Sequence, residues 1–207
     1  MTEPSSPVWC VVAGGGTAGH VLPGLAVCAA LEARGHPRGS LHVIGSARGA
    51  ETSLVPAAGI SLTTLPGRGL NARRVDLANL KAAWDIVRGV VQGVGVVRRL
   101  RPSVVLALGG YAAVPGVVGA MLWRVPVVVT EQNARASLAN RLAGRVARAC
   151  AVPTEGTDLP RAVVTGNPVR PEIVSAGEVA ADAGRRRALR DRLGVEPDRR
   201  LVLVQRG

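Results

Sequence analysis

The sequence predicts an α/β domain built on a Rossmann-like, doubly wound parallel sheet. Three observations carry this. Short runs of Val, Leu, Ile and Ala without in-and-out alternation recur at residues 8–13, 41–45, 104–108 and 125–129. Helix-like stretches lie between them, and several of the runs stop at glycines or a polar cluster. Strands buried on both faces read as continuous apolar runs, and strands alternating with helices make parallel sheets.

Taken in order, residues 8–13 form the first strand, stopped by Gly14, Gly15 and Gly16. A helix follows from His20 to about Arg34, with Gly35 ending it in the usual C-terminal manner. Residues 41–45 are a second strand, 51–58 a helix closed by Gly59, and 60–65 a stretch of β composition. Residues 76–100 form a long helix that must stop before Pro102, with Leu77, Leu80, Trp84 and Val87 at helical spacing. Residues 104–108 and 125–129 are strands, the first followed by a loop and helix. Residues 137–146 are helical, and 162–165 make a short strand before Gly166, Asn167 and Pro168. Residues 178–200 mix seven arginines with five acids and read as a solvated helix with linkers. Leu201, Val202, Leu203 and Val204 then begin a new strand.

The 207-residue composition narrows the function. It is 47% hydrophobic and 19% charged, the balance of a folded chain. Lys81 is the only lysine, so arginine dominates the formal charge of +12, which favours anionic partners. Aromatics are 2%, with no Phe, which argues against a nucleic-acid binder built on stacking platforms. Cys10, Cys28 and Cys150 are scattered, with no CxxC or Cys/His cluster, so buried free thiols are expected rather than disulfides or zinc. Residues 8–31 lack charge, but no basic segment precedes them and glycines and Pro23 interrupt the run. Residues 104–123 are twenty uncharged residues flanked by Arg98, Arg99, Arg101 and Arg124, yet Gly109, Gly110 and Pro115 divide them. A strand, loop and helix explain that run better than a membrane span.

Four clusters at strand ends carry the chemistry. Gly14 to Gly19 satisfies G-x-G-x-x-G directly after a strand and at the opening of a helix, where unpaired N–H groups and the helix dipole attract phosphates. A dinucleotide fingerprint would add an acid at the end of the second strand. That place reads Gly45, Ser46, Ala47, Arg48, and Arg48 would suit an NADP 2′-phosphate instead. His20, in the first turn of the helix, is a candidate base or hydrogen-bond donor, against a merely structural role. Gly109, Gly110 and Tyr111 end another strand and are expected to face the same crevice. Thr130, Glu131, Gln132 and Asn133 suit a polar ligand such as a sugar nucleotide, and Arg170 adds a fixed cation. Each cluster taken alone also fits an ordinary turn or cap.

GGGTAGHVLPGLAVCAAL, ALGGYAAVPG, TEQNARASLANRLA and VVTGNPVR occur in this order. The set resembles the MurG family of bacterial glycosyltransferases over roughly residues 8–170. Ala18 stands where that family usually has glycine, and Thr130 where it usually has histidine. The resemblance implies the N-terminal half of a GT-B fold. It implies transfer of GlcNAc from UDP-GlcNAc to the muramyl C4 hydroxyl of undecaprenyl-pyrophosphoryl-MurNAc-pentapeptide (lipid I), giving lipid II with inversion and without metal or other cofactor. By the same motifs, Thr17, Ala18, Gly19, Asn133 and Arg170 would line the donor site. Gly15, Gly16, Gly109, Gly110 and Tyr111 would hold the acceptor diphosphate, and His20 would assist deprotonation of the acceptor hydroxyl.

The expected organisation is an acceptor-side domain over residues 1–170, then a linker and the first strand of a donor-binding domain over 171–207. This chain alone is expected to bind donor weakly and turn over little. It is expected at the cytoplasmic face of the cell membrane, as a peripheral protein. A docking patch would consist of Leu70, Leu77, Leu80, Trp84 and Trp123, ringed by Arg68, Arg73, Arg74, Lys81 and Arg124. Against it stands a core role for the leucines and Trp84. Two other classes stay open: an NADP-dependent oxidoreductase, and a non-catalytic lipid- or phosphate-binding module.

Overall fold

A computed structural model describes residues 7–66, 77–196, 198–202 and 204, with side chains left out at 77–83. The chain divides after Pro168 into two compact units.

The first unit contains β1 (Cys10–Gly14), α1 (Ala18–Ala33), β2 (Leu41–Ser46), α2 (Glu51–Ala57), β3 (Ser61–Leu65), α3 (Leu77–Leu100), β4 (Val104–Gly109), α4 (Ala113–Leu122), β5 (Val127–Thr130), α5 (Leu138–Val146), β6 (Ala149–Val152) and β7 (Ala162–Val164). The seven strands form one sheet in the order β3-β2-β1-β4-β5-β6-β7. Every pairing is parallel. The doubly wound fold is therefore as the sequence predicts.

The apolar runs account for both faces of the sheet. Along β1, Val11 and Ala13 join one core with Ile44, Val97, Val105, Val117 and Val129. Cys10 and Val12 join the opposite core with Val21, Cys28, Val43, Val55 and Leu108. Alternate residues thus face opposite layers, and each fully buried Val or Leu contributes roughly 1.5–3 kcal/mol by leaving water. Gly93 and Gly119 let α3 and α4 pack closely: a Cβ on Gly119 would lie 2.9 Å from Val97, and one on Gly93 would overlap Pro115. All three cysteines are free and buried. Burial, with Cys28 beside it, pushes the Cys10 thiol up to about 12, and burial pushes Cys28 to about 11.

Local signals set most element ends. Gly35 takes φ 94° and Gly59 φ 69° just past α1 and α2, where residues other than glycine are strained. Ser137 caps α5, its hydroxyl accepting from the Asn140 N–H at 3.2 Å. One feature of this unit departs from expectation. β6 is a strand that its composition does not announce, being four residues with two alanines. It exists because β5 on one side and β7 on the other satisfy its backbone.

The second unit holds α6 (Pro171–Ala181) and α7 (Ala183–Arg192). They are separated at Asp182, whose side chain accepts from the Arg185 N–H at 3.0 Å. The single solvated helix expected over 178–200 is thus two helices. The strand expected at 201–204 does not form: Leu201, Val202 and Val204 are exposed and outside any ladder. A parallel strand requires a neighbour to pair its N–H and C=O groups, and none is present among the described residues.

Candidate functional site

The strand order reverses at β1, with β2 on one side and β4 on the other. Connections leaving two such neighbouring strands go to opposite faces, which opens a crevice at their carboxyl ends. Both glycine loops lie there. They meet so closely that a Cβ on Gly110 would come within 2.9 Å of the Gly15 carbonyl oxygen. Gly16, Thr17, Ala18 and Gly19 are exposed. Neither Thr17 before α1 nor Ala112 before α4 caps its helix with a side chain. The Ala18 and Gly19 N–H groups at the start of α1 are thus left to solvent or ligand, at the positive end of the dipole, whereas at the start of α4 the Ala113 and Val114 N–H groups donate to the Gly110 and Tyr111 carbonyls and Pro115 has none.

His20 sits in that first turn, half-buried. Its Nδ1 lies 3.1 Å from Thr17 Oγ1. When Nδ1–H donates to the hydroxyl, Nε2 is left with a lone pair, which is the tautomer a base requires.

Gly16 holds the first surprise. Its N–H donates to both carboxylate oxygens of Glu51, at 3.1 and 2.9 Å. The Ser46 N–H donates to Glu51 Oε1 at 2.5 Å. Glu51 is fully buried at the start of α2. A dinucleotide fingerprint places an acid at the end of the second strand, where this chain has Arg48. The acid is three residues further on, and it binds the protein's own loops.

Glu131 organises the loop after β5. Buried to 1% exposure, its Oε1 accepts from the N–H groups of Gln132 at 3.0 Å and Asn133 at 2.9 Å, and from Asn133 Nδ2 at 2.9 Å. Its Oε2 accepts from the Ser137 N–H at 3.0 Å and Asn140 Nδ2 at 2.9 Å. Burial alone would raise this carboxyl; the hydrogen bonds from Ser137, Asn140 and Asn133 outweigh it and hold it below its usual range. The polar cluster expected to face a ligand is thus partly turned inward. Asn133 is exposed, and with Nδ2 committed to Glu131 its Oδ1 is the atom offered to a ligand hydroxyl.

Asn140 also explains Gly109. That glycine takes φ 97°, and a Cβ there would meet Asn140 Nδ2 at 3.0 Å. Asn140 Nδ2 donates to the Thr130 carbonyl at 3.2 Å as well. The loops after β4 and β5 are thereby joined beneath the crevice. The Tyr111 hydroxyl donates to the Pro66 carbonyl at 3.1 Å, so that side chain braces the end of β3, and the contribution left for an anion is its backbone. Asn167 Nδ2 donates to the Gln132 carbonyl at 3.2 Å. Arg170 belongs to the second unit, exposed at the N-cap of α6.

Both tryptophans of the expected docking patch are at the surface. Trp84 is 64% exposed, not core, and Val87 and Val91 on the same helix are exposed too. Trp123 is 47% exposed. The Arg98 guanidinium stacks on it, 5.2 Å from the ring centroid. Arg98 lies fourteen residues beyond Trp84 along α3, about 21 Å at the helical rise, so the two tryptophans do not share one patch. Leu70, Arg68, Arg73 and Arg74, and the side chains of Leu77, Leu80 and Lys81, lie outside the described residues. Among the described residues no helix is long and apolar enough to cross a membrane.

Comparison with known proteins agrees with this arrangement. Residues 10–152 match the glycosyltransferase family 28 N-terminal domain. The chain is 41% identical over 199 residues to a UDP-N-acetylglucosamine–N-acetylmuramyl-(pentapeptide) pyrophosphoryl-undecaprenol N-acetylglucosamine transferase of Pseudomonas putida (strain GB-1), covering 93% of this chain and 54% of that protein. It is 42% identical over 170 residues to the like-named protein of Tolumonas auensis, covering 81% and 47%. The chain thus spans about half the length of the curated relatives it matches. Among solved structures it resembles Acinetobacter baumannii MurG, with a TM-score of 0.63 and 27% identity over 80% of this chain and 47% of that one. The fold, though not the sequence, also resembles a Neisseria meningitidis UDP-GlcNAc 2-epimerase bound to UDP-GlcNAc, with a TM-score of 0.55 and 17% identity over 90% and 54%. The sheet and its flanking helices are those of the N-terminal half of a GT-B glycosyltransferase.

Proposed function

The chain belongs to glycosyltransferase family 28, and we propose that it is the acceptor-side half of an enzyme transferring GlcNAc from UDP-GlcNAc to lipid I. The observation that carries this is the meeting of two glycine loops at the β1/β4 crevice, the first of them opening α1 with no side chain capping its first turn. Such a surface suits a diphosphate, and lipid I presents one beside the sugar to be glycosylated.

In this reading the loops that contain Gly15, Gly16, Gly109, Gly110 and Tyr111 receive the acceptor diphosphate through backbone amides other than that of Gly16, which Glu51 holds. Thr17, Ala18, Gly19 and Asn133 border the donor sugar nucleotide, and Arg170, in the second unit, is a further donor-side candidate. The muramyl C4 hydroxyl attacks C1 of GlcNAc from the face opposite the leaving group. The C1–O bond to UDP breaks, UDP takes the electron pair, and configuration inverts. His20 Nε2 takes the hydroxyl proton, with Thr17 Oγ1 holding Nδ1.

Docking to the cytoplasmic face of the membrane fits the exposed Trp84, Val87 and Val91 stripe on α3 and the chain's net charge of +12. Reading the loop as an NADP site has less support, since Glu51 already occupies the amide of the fingerprint's second glycine.

The test is reconstitution with the donor-binding half of a full-length relative and labelled UDP-GlcNAc. Label appearing in lipid II supports the proposal. Reconstituted protein that binds both substrates and transfers nothing overturns it.

A further inference from the structure

The glycine loop has a resident anion. Glu51 is 0% exposed, and among the described residues no Lys or Arg forms an ion pair with it. A buried carboxylate without a cation must be held by hydrogen-bond donors, and here the donors are the backbone N–H groups of Gly16 and Ser46. They belong to the two loops that leave β1 and β2. Glycines make the space: a Cβ on Gly15, Gly45 or Gly49 would overlap the Glu51 side chain. Three glycines, in the loop after β1, in β2 and in the loop after β2, are therefore accounted for by an internal carboxylate, not by the approach of an external ligand.

We propose that Glu51 is a positioning and specificity-determining residue: it stands in for a phosphate at the Gly16 amide, fixes the loop in its open shape, and excludes diphosphates that would bind deep in the loop. Like charges at close range repel strongly where water is excluded. A dinucleotide diphosphate, which would need the amide of the second glycine, is rejected. A diphosphate that uses the outer Ala18 and Gly19 amides at the start of α1 is admitted. This inference stands whether or not the chain transfers a sugar.

The probes are inorganic pyrophosphate and formate, used on the 207-residue chain and its Glu51→Ala variant. The readouts are the Gly16 amide resonance and the thermal midpoint, with chloride at equal ionic strength as control. In the natural chain the Gly16 amide, held by Glu51, moves less with pyrophosphate than it does in Glu51→Ala. In Glu51→Ala the vacated site takes an anion: the midpoint, lowered by the substitution, rises with formate or pyrophosphate but not chloride. The Gly16 amide then shifts, and pyrophosphate binds about tenfold more tightly than to the natural chain. If the Ala variant fails to fold in plain buffer, its refolding yield in formate against chloride is measured, and formate is expected to raise it. A Gly16 amide that responds to pyrophosphate equally in both proteins, or a variant indifferent to formate and pyrophosphate in midpoint and refolding, overturns the proposal.

Discussion

Asn140 donates its side-chain amide to Glu131 Oε2 at 2.9 Å, and this contact ties α5 to the loop that presents Asn133. The amide orientation is fixed, because Nδ2 also donates to the Thr130 carbonyl and a flip would set oxygen against two acceptors. Glu131→Gln should therefore cost about 2–4 kcal/mol, since an NH₂ group would replace an oxygen that now accepts from backbone donors. Urea unfolding measures the loss. A cost under about 0.5 kcal/mol would mean the carboxylate does not organise the loop.

Acid should weaken the fold in two stages. His42 is buried on β2 with Nε2 2.8 Å from Thr63 Oγ1. Burial, assisted by the Arg99 charge, lowers it from its usual 6.5 to about 4. The folded chain thus resists protonation while the unfolded chain accepts it. The stability concerned is complete above pH 6.5 and declines as pH falls toward 4, by about 3 kcal/mol in all. Glu131, held low, contributes a further loss as pH falls below 4.5. In His42→Leu the first decline should disappear, which thermal midpoints between pH 7 and 4 would reveal.

The buried thiols should be silent in the native chain. Cys10 and Cys28 are pushed up to about 12 and 11 by burial, and Cys150 is raised for the same reason. Thiolates are the reactive form, so a maleimide should label none of the three until denaturant is added. Labelling should then follow global unfolding.

How far the sequence foretold this molecule depends on which interactions are local. The first strand, its glycine loop and the Gly35 stop follow from neighbours a few residues apart, and each was legible. β6 was not, because its four residues take strand form only through β5 and β7. Glu51 was missed because its role depends on an N–H thirty-five residues away. The signal available was an acid at the first turn of the next helix, behind Gly45 and Gly49. Glu131 was seen as part of a polar cluster, but its burial lies in packing against α5 that no spacing reveals. The two tryptophans were grouped by composition, and only the length of α3 separates them.

Membrane docking predicts a division of roles along α3. Trp84→Asp should reduce binding to vesicles that contain anionic lipid and leave the thermal midpoint within about 1 °C, since an exposed residue contributes little to the fold. Trp123→Ala should lower the midpoint slightly through loss of its stacking with Arg98, worth about 0.5–1 kcal/mol at an exposed site, and change vesicle binding less. Vesicle co-sedimentation distinguishes the two.

His20→Ala, in protein reconstituted with a donor-binding half, should lower turnover about 10²- to 10⁴-fold while acceptor binding changes little. Thr17→Val should lower turnover less, because it removes the group that orients Nδ1 and not the imidazole itself.

The most direct test of an acceptor-side half-site is calorimetric titration of the 207-residue chain with a short-chain, water-soluble lipid I analogue, alongside UDP-GlcNAc and NADPH. The account predicts one-to-one binding of the analogue, weak binding of UDP-GlcNAc, and none of NADPH. Tight binding of UDP-GlcNAc or NADPH with no binding of the analogue would contradict it.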